Sequence, residues 1–137
     1  MAYMNQERKN QRAPKIKEIC KRYGIKASLS VRNHSTLVLT VRSGPIDFLE
    51  SYNRVCGARP RDGHLPFNPA TNDIQVNPYW YKEHFDGKAL AFLAEVIPAL
   101  YGADYFDHSD IQTDYFHCSH YIDVNIGQWN KAYQLMA

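Results

Sequence analysis

Lys26-Ala-Ser-Leu-Ser-Val-Arg-Asn-His-Ser-Thr-Leu-Val-Leu-Thr-Val-Arg42 is the stretch on which the reading of this chain turns. Ala27, Leu29 and Val31 alternate with polar residues, and Leu37, Leu39 and Val41 repeat the alternation after Ser35. A period of two puts each apolar set on one side of a strand. The short connection at Asn33 and His34 includes an Asn, which tolerates the positive φ of a tight turn. The segment therefore predicts a hairpin of two strands, Lys26 to Arg32 and Ser35 to Arg42.

Upstream, Ile16, Ile19, Cys20 and Tyr23 recur at helical spacing, and Gly24 stands where a left-handed C-cap is expected. Pro14 either starts this helix or kinks a longer one that begins near Asn5, and the longer, kinked helix is adopted. Downstream, Ser43, Gly44 and Pro45 end the hairpin. A second helix is predicted over Ile46 to Cys56, with Ile46, Leu49, Tyr52 or Asn53, and Cys56 inward, and Gly57 closing it. Pro60, Gly63, Pro66 and Pro69 make the next stretch a loop. Asp73 to Val76 reads as a brief strand. Asn77 and Pro78 read as the N-cap and first residue of a short helix through His84.

From Asp86 or Gly87, the stripe Leu90, Leu93, Val96, Ile97, Leu100 and Tyr101 predicts a helix distorted by Pro98 and stopped by Gly102. After a polar, aromatic loop, His117 to Ile126 alternates cleanly, with Cys118, His120, Ile122, Val124 and Ile126 on one side. The order α-β-β-α-(β)-α-α-β implies an α+β fold: a small antiparallel or mixed sheet of three to four strands, covered by helices on one face. At 137 residues the chain is expected to be one domain, 1–137.

Charge is divided along the chain. Residues 1–61 hold 13 Lys and Arg against 4 Asp and Glu, and residues 62–137 hold 3 against 10, giving +9 and −7. Such asymmetry points to electrostatic docking or polyanion binding, or to two halves that neutralise each other on folding. Three widely spaced cysteines, Cys20, Cys56 and Cys118, contain no CxxC pair and argue for free thiols over a disulfide framework. The polar, basic N-terminus and the lack of a long apolar run lead us to expect a cytoplasmic protein without a membrane partner.

No phosphate-binding glycine loop, dinucleotide fingerprint, HExxH or GxSxG is present, and no cofactor is implied. Reactive side chains concentrate only between Asp107 and His120, where a metal-dependent hydrolase would have to draw its ligands. On a strand, however, His117 and His120 face opposite ways, and His120 shares the apolar side, where a hydrogen-bonded core histidine is the simpler expectation. Burial would likewise raise the pKa of Cys118 and blunt it as a nucleophile.

Two binding surfaces are predicted instead. Arg8, Lys9, Arg12, Lys15, Lys17, Lys21 and Arg22 on the first helix would attract DNA or RNA phosphates. Tyr105, Phe106, Asp107, Asp110, Asp114, Tyr115 and Phe116 combine rings with acid and suit a protein interface with a basic partner.

The run Leu29 to Val41, together with Asp110 to Phe116 and Tyr121 to Tyr133, resembles small proteins of tailed phages and mobile elements. The hairpin also resembles a module of large polyvalent phage proteins. The resemblance implies a phage-encoded accessory protein that binds, and inhibits, a host protein or nucleoprotein assembly such as a defence system. It brings no catalytic residue with it. Relatives carry an acidic or apolar stretch in place of His117-Cys118-Ser119-His120 and proline in place of Ala132, which counts against a defining metal site.

Overall fold

A computed structural model describes residues 3–58, 69–102, 105, 120–128 and 130–136 of the chain. Helix α1 spans Gln6–Tyr23. Its N-cap is Asn5, whose side chain accepts a 2.8 Å hydrogen bond from the amide of Arg8. The helix runs through Pro14, which is solvent-exposed, so water can serve the carbonyl that proline leaves without a donor. Gly24, at φ 70°, ends it in the left-handed conformation that an L side chain would resist.

Strands β1 (Lys26–Arg32) and β2 (Thr36–Gly44) form the expected antiparallel hairpin. Asn33 and His34 both adopt positive φ, 54° and 55°, which matches the twist of the flanking strands. Helix α2 covers Phe48–Gly57, two residues later than the sequence suggests, because Asp47 takes the N-cap and accepts a bond from the Glu50 amide. That shift corrects its inner face: Phe48 and Ser51 are buried, whereas Leu49 and Cys56 are only partly so.

Strand β3 (Ile74–Val76) is followed by α3, which starts at Tyr81 and ends at His84. The Asn77 side chain accepts from the amides of Tyr79 and Trp80, so it caps a turn before the helix and not the helix itself. Helix α4 spans Gly87–Tyr101. Strand β4 spans Tyr121–Ile126, with His120 just before it; residues 117–119 of the predicted strand lie outside the described residues. A short β5 (Gln134–Leu135), absent from the expected order, pairs in parallel with the end of β2.

The sheet is mixed, in the order β1-β2-β4-β3, with β2 and β4 parallel and both flanking pairs antiparallel. Its register aligns Leu29, Leu39 and Val124 across one face, and Ser30, Val38 and Asp123 across the other. The apolar face joins Ile16 and Ile19 of α1, Phe48 of α2, and Phe92, Leu93, Val96 and Leu100 of α4 in one buried cluster. Phe48 anchors it through edge-on contacts with Phe85, Phe92 and Tyr133 at 6.4, 5.8 and 5.4 Å. Tyr133 donates to the Ile46 carbonyl at 2.7 Å, and burial pushes its phenol up to about 12. No helix among the described residues is long and apolar enough to cross a membrane.

Candidate functional site

The seven basic residues of α1 do not form one surface, because a helix turns about 100° per residue and distributes them around its axis. Arg8 and Lys9 are half-buried near the N-terminus, and Arg8 donates to the Tyr3 carbonyl. Arg12 points inward and is 6% exposed. Its Nε and Nη2 donate to the Tyr101 carbonyl at 3.3 and 2.9 Å, and Nη1 donates to the Arg8 carbonyl at 3.1 Å. Arg12 thus closes the C-terminal end of α4, where a cation also complements the helix dipole. Gly102 makes room for it: a Cβ there would stand 2.7 Å from the guanidinium.

Arg22 pairs with Glu95 at 2.8 Å, and the Tyr23 hydroxyl also donates to Glu95. The hydrogen bonds from Tyr23 and then Arg22 hold the Glu95 carboxyl below its ordinary range. Lys15, Lys17 and Lys21 remain exposed. Lys15 borders a groove of about 690 Å³ between α1 and α4, and Lys17 and Lys21 border another of about 410 Å³ between α1 and β1.

Of the predicted protein interface, Tyr105 is described; Phe106, Asp107, Asp110, Asp114, Tyr115 and Phe116 lie outside the described residues. Tyr105 packs against Tyr101 with the rings tilted and their centroids 4.4 Å apart, and meets His120 edge-on at 5.5 Å. These three rings line a cleft of about 300 Å³ at the start of β4, together with Tyr79, Tyr121, Arg32 and Asp123. Arg32 and Asp123 form an ion pair across the polar face of the sheet. Tyr79 and Tyr121 are 71% and 49% exposed, and Trp80, on the same turn as Tyr79, is 57% exposed. Tyr81, the next residue along, is by contrast buried in the core.

His120 is wholly buried, and its Nε2 lies 3.0 Å from the Leu100 carbonyl, so it ties the start of β4 to the end of α4. Cys20 is a buried free thiol whose pKa is raised by burial, and Cys56 is a partly buried one; Cys118 lies outside the described residues. Among the described residues, no three His, Cys, Asp or Glu side chains gather closely enough to hold a metal ion. The remaining strong polar cluster is structural: Arg54 bridges Glu50 and Asp86, and Ser51 also donates to Asp86.

No family model, curated protein or solved structure matches this chain.

Proposed function

We propose that this chain is a non-enzymatic, phage-type accessory protein that binds a host protein or nucleoprotein assembly and inhibits it by occupying its surface. The observation that carries this reading is the cleft at the start of β4. Tyr and Arg side chains are the residues that interfaces favour, because large, stiff rings bury much area at low entropic cost. Here Tyr79, Tyr121 and Arg32 line one depression, with Trp80 exposed beside it. The buried state of His120 and Cys20 leaves both poorly suited to general-base or nucleophilic work, which further favours binding over catalysis. Phage context rests on the sequence resemblance alone.

The test is affinity capture from host lysate with and without nuclease, followed by mass spectrometry, using the wild type and the double variant Tyr79→Ala/Trp80→Ala. A stoichiometric protein that survives nuclease and is depleted at least about tenfold by the double variant supports this function. Recovery of nucleic acid only, released at raised salt, overturns it in favour of direct DNA or RNA binding. Exposed Lys15, Lys17 and Lys21 on α1 favour that second reading, in which charge reversal at these lysines and Arg22 abolishes binding.

A further inference from the structure

Strand β1 is a sheet edge. It pairs with β2 along its whole length, and among the described residues no strand lies on its other side. Alternate backbone amides and carbonyls of an edge strand point outward and can template another extended chain. Proteins commonly guard such edges with a lysine or a bulge, and Lys26 and the register shift between Lys26 and Ala27 do so at one end. From Ala27 to Arg32 the register is regular, so the guard covers only the first residue.

Beside this edge runs the α1/β1 groove. Its floor is apolar, formed by Ile16, Cys20, Ile25, Ala27, Leu29 and Leu39. Ala27 and Leu29 are only partly buried, unlike Leu39 behind them, so the helix does not fully cover the outer strand. Lys17, Lys21 and Lys26 stand on the rim, all exposed, and no carboxylate of the described residues pairs with any of them. Lys17 and Lys21 are one turn apart on the same side of α1, and Lys26 lies across the groove at the start of β1. Three cations held around an apolar floor repel one another until anionic groups arrive. Among the described residues no aromatic side chain lines this groove, so they offer bases nothing to stack on, whereas aliphatic side chains fit its floor.

We infer that the α1/β1 groove is a docking site for an extended acidic segment of a partner protein, which adds as a strand to the edge of β1. Its alternate aliphatic side chains enter the groove over Ala27 and Leu29, and its flanking carboxylates meet Lys17, Lys21 and Lys26. Main-chain pairing supplies sequence-independent affinity, and the groove and lysines supply selectivity. The opposite end of β1 carries Arg32, which borders the aromatic cleft, so one bound strand runs from the lysine rim toward that cleft. This inference rests on the protein-binding function proposed above and names the chemistry of the partner.

The probe is a pool of seven-residue peptides in which Glu or Asp alternates with varied aliphatic residues, set against a matched pool with Lys in place of the acids. Binding is read by peptide enrichment and by hydrogen exchange at the β1 amides. The expected result is enrichment from the acidic pool only, slowed exchange within Ala27–Arg32, and at least about tenfold weaker binding by the triple variant Lys17→Glu/Lys21→Glu/Lys26→Glu. These side chains are exposed, and circular dichroism checks that the variant keeps its fold. No enrichment, or binding without β1 protection, overturns the inference. So does concentration-dependent dimerisation that protects β1 in the absence of peptide, because a second copy would then be the occupant. Displacement of the peptides by a mixed-sequence oligonucleotide through the same lysines overturns it in favour of nucleic acid. If the triple variant still captures the same nuclease-resistant host protein as the wild type, the groove is excluded while the protein-binding function stands.

Discussion

Two of the grooves along α1 share that helix as a wall, yet they treat charge differently. On the α4 side, Arg12 is buried and bound to the Tyr101 and Arg8 carbonyls, and Arg22 is matched by Glu95, which Tyr23 also holds, while Lys15 stays exposed at the rim. On the β1 side, Lys17, Lys21 and Lys26 surround an apolar floor, and no carboxylate of the described residues pairs with them. The first groove is an internal seam in which charge fixes the placement of two helices. The second carries charge that no carboxylate of the described residues neutralises, and such charge around apolar surface is what an acidic partner can use. The lesson is that a basic helix is not one electrostatic object; its partners decide which cations remain available.

The sharpest way to break the contrast is at Arg12. Replacing it with Ala leaves the Tyr101 carbonyl without its guanidinium donor and opens space beneath Gly102, so a loss of about 1–3 kcal/mol is expected in urea unfolding. Arg12→Met, which keeps the apolar stem but not the donors, should recover part of that loss.

A smaller effect is expected from acid. The Glu95 carboxyl is depressed by Tyr23 and then Arg22, and that of Asp86 by Arg54 and then Ser51. A carboxylate with a folded pKa below its unfolded value contributes stability that is present above the unfolded pKa and lost as pH falls through the folded one. The urea midpoint should therefore fall as pH drops below the ordinary values of 4.5 for Glu95 and 3.8 for Asp86. In Glu95→Gln this acid limb should be shallower, with a lower plateau at neutral pH.

The smallest effect should come from the other groove. Lys17→Ala, Lys21→Ala and Lys26→Ala remove unpaired surface charges, so each should change stability by no more than about 0.5 kcal/mol in thermal or urea unfolding. A large destabilisation at any of the three would mean that the β1 groove is a structural seam like its neighbour.

Much of the fold was legible because its signals are local. The alternation in Lys26–Arg32, the Asn-His turn, Gly24 as C-cap, Asn5 as helix start and the apolar stripe of α4 all encode short-range geometry. The misread elements depend on competition or on distant partners. Asp47 outcompetes Ile46 for the start of α2, and Asn77 spends its side chain on a turn before α3. β5 has two residues and no pattern of its own; it exists because β2 offers Ser43 and Gly44 to pair with. The candidate sites were legible only as composition. Arg12 looks like Lys15 in the sequence, and nothing in its neighbours announces that Tyr101, 89 residues away, will claim it.

What the sequence determined by itself was the kind and order of the elements other than β5, the apolar side of the longer strands and the excess of cations near the N-terminus. Those properties follow from backbone stereochemistry and side-chain periodicity, which act over a few residues. Only the tertiary structure decided that β1 lies at the edge while β2 lies inside, that Arg12 is buried while Lys17 and Lys21 are not, and that Arg32 reaches the cleft lined by Tyr79 and Tyr121. Strand order and the pairing of charges are set by which distant surfaces bury the most apolar area together, a choice made by the whole chain and not by any segment of it.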